Sequence, residues 1–316
     1  MAGPTVCVIA GGVGAAKMLG GIVDVVDPSR VTAIVNVGDD LVLHGLHISP
    51  DLDTITYTLA GQNNTATGWG LQGETWQAME MVGRYGGVDW FSLGDRDLGT
   101  HLYRTHRLGQ GATLTEVTAE IVAAWDLALR VLPVTNDRLS TMLTLAEGDD
   151  AGTEVTFQEY FVRRRHDVAV RSVRFDGADA AGPGPDVLAA IGDADVVVVA
   201  PSNPLVSIDP VLAVPGVRDA LVARRDDVVA VSPIIAGAAL KGPADRLLRE
   251  LGLESTAAEV ARLYAPFAAA LVIDEADGAL ADEVSAAGVR PIVAPTVMRD
   301  PVIAAALART TIGAVA

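Results

Sequence analysis

Short apolar runs recur along the chain, and stretches of helical spacing lie between several of them. Residues 5–10 are apolar and β-branched, 11–14 read as a glycine turn, 15–26 have helical spacing, and 31–37 are apolar again. That order predicts a βαβ unit. Further short runs fall at 130–134, 195–200, 227–231, 270–273 and 290–293. Short buried strands alternating with helices predict an α/β fold, a Rossmann-like doubly wound parallel sheet with helices on both faces. Thr113 with Glu116, and Thr256 with Glu259, have the spacing of capping boxes and mark two helix starts.

Three stretches break this rhythm. Residues 38–111 hold one strand-like run, 88–93, amid glycines, aspartates and polar helices, and read as an insertion that builds a site as a smaller α/β subdomain. Alternation within 139–175 predicts antiparallel strands flanking the main sheet. Residues 176–185, rich in Gly, Ala and Pro, read as a surface loop. At 316 residues, half of them hydrophobic, the chain is expected to form one large domain across 1–316.

Apolar stretches end well before the roughly 18 residues a bilayer span needs, so no membrane partner is expected. The first residues lack a basic segment, which points to a first strand, not a signal peptide, and to a cytoplasmic protein. Cys7 is the single cysteine, which rules out an internal disulfide and a thiolate zinc cluster. A formal charge of −17 argues against nucleic acid as a partner, so any anionic ligand must be met locally. The basic residues are almost all arginine, with lysine only at positions 17 and 241.

Candidate chemistry clusters after predicted strands. Gly11, Gly12 and Gly14, in GGVGAAK, open a helix where bare amides suit a phosphate or carboxylate, although a tight turn needs the same glycines. GDDLVLHGLHISPDLDT places Asp39, Asp40, Asp51 and Asp53 close together; four carboxylates there call for a cation or protons, and oxygen ligands favour Mg²⁺. Helix capping and turn roles are the alternative for the same aspartates. SLGDRDLGTHLYRTHRLGQG supplies Asp95, His101, Arg104 and Thr105, the last three on one face if 98–108 is helical, as a plain surface helix would also have them. In FQEYFVRRRHD the three arginines at 163–165 would sit on a strand, with at most two on one face. APSNPLVS brings Ser202 and Asn203 to another strand end, and SPIIAGAALKGPA repeats that arrangement with Gly237, Lys241 and Gly242.

Taken in order, these blocks and the later TVMRDP resemble the CofD family of 2-phospho-L-lactate transferases, called FbiA in actinobacteria, over nearly the whole chain. The resemblance implies a Mg²⁺-dependent homodimer in coenzyme F420 biosynthesis. It would move a phospho-linked three-carbon acid, phosphoenolpyruvate or 2-phospho-L-lactate, from its guanosine diphosphate derivative to the ribityl hydroxyl of the deazaflavin Fo, releasing GMP and forming (dehydro) coenzyme F420-0. Actinobacterial members imply phosphoenolpyruvate. Carried over by motif, Asp40 and Asp53 hold the metal, with Asp40 and Asp51 as the catalytic acids. Gly11, Gly12, Gly14, Ser202 and Asn203 form the nucleotide site, and Asp95, His101, Arg104 and Thr105 the Fo site. Ala15 and Ala16 stand where the family is expected to have Thr-Pro, so no hydroxyl contact is carried over there.

Two other classes compete. A non-catalytic nucleotide sensor with the same sheet has little reason to assemble the acidic cluster. A NAD-dependent oxidoreductase needs GxGxxG and a ribose-binding acid about 20 residues further on, where this chain has GGVGAAK and then Gly-Asp-Asp.

Overall fold

Every residue of the first strand, β1 (Val6–Ala10), is buried, and an unbroken apolar run of that length has nowhere to sit but between two covering layers. The computed structural model describes residues 3–64 and 68–315. Six more strands join β1: β2 (Val31–Val35), β3 (Arg130–Pro133), β4 (Val196–Val199), β5 (Val228–Val231), β6 (Ala270–Ile273) and β7 (Arg290–Val293). All pairings in this sheet are parallel, in the order β3-β2-β1-β4-β5-β6-β7. β4, β5 and β6 are buried throughout, whereas the edge strand β7 is half exposed. The α/β architecture read from the sequence is the one observed, with strand bounds that differ by one or two residues.

The chain winds from β1 out through β2 and β3, then restarts at β4 on the other side of β1. The reversal between β1 and β4 leaves the crevice in which open sheets take ligands. Helix α1 (Gly12–Val23) begins directly after β1 and packs against α2 (Pro50–Leu59) and the C-terminal helix Pro301–Ile312. Gly14 permits the closest approach at the crevice, because a Cβ there would lie 2.2 Å from the Pro201 carbonyl oxygen.

Residues 38–111 contain a hairpin, Leu41–Leu43 with Leu46–Ile48, then α2, α3 (Gln77–Arg84) and α4 (Asp97–Gly109). The strand expected at 88–93 does not form. Only Leu93 of that run is fully buried, in a small cluster with Ile48 and Met79, while Val88 is 43% exposed and the run pairs with no strand among the described residues. The antiparallel strands expected within 139–175 are present, with Ser140–Leu145 between Glu154–Thr156 and Val170–Asp176. The arginines at 163–165, however, leave the strand pattern: Glu159–Arg163 is a π-helical turn, and Arg163 and Arg164 pair with Glu159 on it. Phe157, Tyr160 and Phe161 have helical, not alternating, spacing. Tyr160 is fully buried and Phe157 stacks on Phe161, so the helical period wins. Thr113 and Glu116 form a complete capping box at the start of Leu114–Ala124. At Thr256 only half of one forms, since the Glu259 carboxylate pairs with Arg262 instead.

Two adjacent glycines in α1 give a test of this packing. A Cβ on Gly21 would lie 2.3 Å from the carbonyl oxygen of Ala304, whereas one on Gly20 meets nothing within 4 Å. Gly21→Ala is expected to lose about 1–3 kcal/mol by forcing α1 off the C-terminal helix. Gly20→Ala should gain up to about 1 kcal/mol from helix propensity. Opposite shifts in Tm in parallel thermal melts are the expected result.

Candidate functional site

β2 ends at Val35, and the next residues turn sharply under the crevice. Asn36 Oδ1 accepts the Gly38 N–H at 2.7 Å, and a Cβ on Gly38 would lie 2.6 Å from Thr141 Oγ1, so the turn closes only around glycine. This turn delivers Asp39 and Asp40. The hairpin then returns the chain to α2, whose first turn carries Asp51 and Asp53, a placement the helix N-terminus favours. Helix capping does not engage these two carboxylates. Asn36 Nδ2 donates to Asp51 Oδ2 at 3.0 Å, and Ser49 donates to Asp40 Oδ2 at 2.6 Å.

Asp53 faces α4 instead. The Arg104 guanidinium grips both of its oxygens as a fork, one contact being Nη1 to Oδ2 at 3.1 Å. Arg104 is 1% exposed and also reaches the His47 carbonyl at 3.4 Å. One turn earlier on α4, His101 lies with Nε2 3.3 Å from Asp97 Oδ2 and Nδ1 3.8 Å from Asp53 Oδ2. The Tyr57 hydroxyl donates to Asp97 Oδ1 at 2.7 Å. Burial works against charge on Asp97, but the His101 imidazole and the Tyr57 hydroxyl outweigh it and hold its carboxyl below the usual range.

The other carboxylates shift the opposite way. Burial, then the neighbouring charges of Asp51 and Asp40, pushes Asp39 well above the usual carboxylate range. Burial does the same to Asp40, opposed in part by the Ser49 hydroxyl and Arg104. Asp51 is pushed up to about 6 by burial, against hydrogen bonds from Asn36 and the Gly12 N–H. Asp39 Oδ1 and Asp40 Oδ1 are buried without a hydrogen-bond partner among the described residues. Among the described residues, the ligand atoms of Asp53, Asp97 and His101 lie within 4.8 Å of one another, and two carboxylates beside an imidazole there fit a divalent cation such as Mg²⁺.

A cleft of about 740 Å³ runs along the strand ends. Its wall includes Gly11, Gly12 and Gly14 after β1, Ser202 and Asn203 after β4, and Asp39, Asp51, Asp53, Asp97 and His101 on the β2 side. Ser202 Oγ donates to the Gly11 carbonyl at 2.7 Å, which ties the two loops at the sheet reversal together. Asn203 Oδ1 caps the following turn at the Leu205 N–H, while its buried Nδ2 has no partner among the described residues. Trp69, Phe91, Phe157 and Phe161 add an aromatic side, with Phe157 and Phe161 stacked at 5.4 Å.

Four of the site residues carried over by motif lie off this wall. Asp40 sits behind it against Ser49, and Arg104 stands behind Asp53. Thr105 Oγ1 accepts the His47 N–H at 2.7 Å, and Asp95 holds the start of α3 through the N–H groups of Gln77 and Ala78. Sequence reasoning did not single out Asn36, Tyr57, Asp97, Phe157 or Phe161. Asp97 carried a usable signal, four residues before His101 on the same helix face.

An open parallel sheet with a glycine turn at its reversal and a buried acidic group beside it defines a ligand-binding α/β protein of the doubly wound class. The chain belongs to the 2-phospho-L-lactate transferase CofD family, whose profile it matches over residues 6–296. It is 44% identical to the phosphoenolpyruvate transferase of Streptomyces griseus, covering 96% of both chains. It is 43% identical to the phosphoenolpyruvate transferase of Nocardia farcinica, over 97% of this chain and 93% of that one. A UPF0052 family protein of Bacillus halodurans, solved by crystallography, shares the fold with a TM-score of 0.63 at 17% identity, over 98% of this chain and 99% of that one. No helix among the described residues is long and apolar enough to cross a membrane.

Two stability effects follow from the buried charges. A carboxyl with a raised folded pKa favours the fold while protonated, and that advantage fades as pH climbs from the ordinary value towards the raised one. In metal-free protein Asp39→Asn should therefore raise Tm at pH 7.5 by about 2–5 °C and have less effect near pH 4. Arg104→Met leaves Asp53 buried without its counter-charge and should lower stability by about 3–5 kcal/mol, with Arg104→Lys intermediate, measured by chemical denaturation.

Proposed function

We propose that this protein transfers phosphoenolpyruvate, as its guanosine diphosphate derivative, to the terminal ribityl hydroxyl of the deazaflavin Fo, forming dehydro coenzyme F420-0. The observation that carries the reading is the cleft at the sheet reversal, where a glycine turn faces buried carboxylates, in a member of the CofD family. The names of the Streptomyces and Nocardia relatives favour phosphoenolpyruvate over phospholactate as the transferred group. The unpaired oxygens of Asp39 and Asp40 favour an enzyme over a nucleotide sensor, because binding alone gains nothing from burying them.

In this reading the ribityl oxygen bonds to the phosphorus that carries the three-carbon acid. The bond from that phosphorus to the bridging oxygen breaks, GMP leaves with that oxygen, and the hydroxyl proton passes to a carboxylate. Asp51, ionised near neutral pH and on the cleft wall, is the proposed acceptor of the proton. Mg²⁺ held by Asp53, with Asp97 and His101 beside it and Asp40 behind the wall, would supply charge neutralisation at the diphosphate. The amides after Gly11 and the Asn203 Nδ2 face the nucleotide. The stacked pair Phe157 and Phe161, with Phe91, offers a flat apolar surface to the deazaflavin ring, and His101 lies at the acidic end of the same wall. The ring serves as a handle that orients the hydroxyl, not as a redox group. A homodimer is part of the proposal.

Purified protein incubated with Fo, Mg²⁺ and the guanylated enolpyruvyl donor should yield dehydro coenzyme F420-0 and GMP, read by mass spectrometry. Asp53→Asn should lose turnover by about 100-fold or more, and an Fo analogue lacking the terminal hydroxyl should bind without product. Full activity in EDTA, or GMP release from that analogue at the rate seen with Fo, would sink the reading.

A further inference from the structure

Carboxylates outnumber the basic residues, 40 to 23, so a cation in this protein normally has an acidic neighbour to pair with. Three on the cleft wall make no ion pair among the described residues. Lys17, Lys241 and Arg299 all line the cleft, and they include both lysines of the chain. Lys17 Nζ donates to the Met298 carbonyl at 3.3 Å, and neither Lys241 nor Arg299 has a side-chain hydrogen bond or ion pair among the described residues. The carboxylate that feels Arg299 is Asp274, and it is already held by the Thr296 N–H and hydroxyl at 2.9 Å and by the Ala276 N–H at 3.1 Å.

The three cations come from separate elements: α1 after β1, the loop before helix Ala244–Glu250, and the segment between β7 and the C-terminal helix. The bond from Lys17 to Met298 joins the first to the third. Lys241 lies beside Gly68, also on the cleft wall, where a Cβ would be 3.0 Å from its Nζ. The cleft's acids sit on other elements, around the end of β2 and on α2 and α4. Cations placed to balance those acids would be paired with them; these are left for something that enters the cleft. The unpartnered Asn203 Nδ2 on the same wall is a further donor awaiting an acceptor.

We propose that Lys17, Lys241 and Arg299 form the anion-holding wall of the cleft and grip a diphosphate. That the diphosphate belongs to a guanylated donor rests on the function proposed above; the class of group held does not. Three cations from three separate elements suit a multiply charged, compact polyanion. A lone carboxylate would be matched by one of them, and lysine is a usual phosphate ligand. The wall also answers how a protein of −17 admits an anionic substrate: the local field is reversed at the binding end.

The test is calorimetric titration of inorganic pyrophosphate, GDP and guanosine into metal-free protein at low ionic strength. The variants are Lys17→Met, Lys241→Met, Arg299→Met, the triple variant, and Arg309→Met as an exposed cation outside the cleft. All four positions are solvent-exposed, so the folds should survive, checked by circular dichroism. Each single cleft variant is expected to weaken pyrophosphate and GDP by about 3- to 10-fold and the triple by about 100-fold or more, with guanosine unchanged and Arg309→Met without effect. Failure of the wild type to bind pyrophosphate, a triple variant that binds it as tightly as the wild type, or an equal loss in Arg309→Met would overturn the proposal. Phosphoenolpyruvate transfer that persists beside unchanged pyrophosphate affinity in the triple variant would remove the wall and leave the function standing. Loss of pyrophosphate binding in a protein that forms no transfer product would do the reverse.

Discussion

The fork between Arg104 and Asp53 joins the two helices on which the acidic side of the cleft is built. α2 is fixed to the sheet through Leu52 and Ile55, which belong to the main core, whereas α4 lies over the hairpin strand Leu46–Ile48. A buried ion pair is weak evidence of stability, since desolvation offsets most of its attraction. Its consequence here is positional. With both Asp53 oxygens engaged from behind by a planar guanidinium, the carboxylate has a single orientation, and His101 and Asp97 are set one turn away on the same helix. A lysine would supply the charge without the fork.

Around that fixed point the protein tolerates an arrangement that costs stability. Asp39, Asp40 and Asp51 are buried, two of them with an unpaired oxygen, and burial raises all three towards the protonated form. Folding alone would be better served by asparagine or an apolar residue at any of them. The glycine at 38 and the hydrogen bond from Asn36 are spent on holding Asp39 and Asp51 where they are, which is the mark of a site maintained for a ligand.

The sheet was legible because its strands are covered on both faces, so apolar runs such as Val196–Val199 declare themselves without any knowledge of their neighbours. The same logic fails where only one residue of a run is buried. The stretch at 88–93 has strand letters, yet only Leu93 is fully buried, and no local pattern says that the run will find no strand to pair with. Arg104 shows a further limit. Helical spacing correctly puts it beside His101, but whether that face meets a ligand or the back of another carboxylate depends on where the hairpin leaves α2, which only the tertiary fold decides. Of the glycine turn, the acidic block and the Ser202 loop, the sequence disclosed the strand ends they occupy because the rule for open sheets is topological and does not depend on side-chain detail.

Topology also accounts for the separation of charge in the cleft. Successive strands on one side of β1 bring residues from the first half of the chain, and those on the other side bring residues from the second half. The acids follow β2; Lys241 and Arg299 follow β5 and β7. Lys17 is the exception, and it reaches across from α1 to the second side through the Met298 carbonyl. Opposite charges arranged this way cannot collapse onto each other as long as the sheet is intact, because the glycine loop of β1 and the Ser202 loop of β4 stand at the reversal. The unpaired charge in the cleft is thus a consequence of strand order. A fold that kept the same residues but placed β4 beside β2 would bring acids and cations together and neutralise the site.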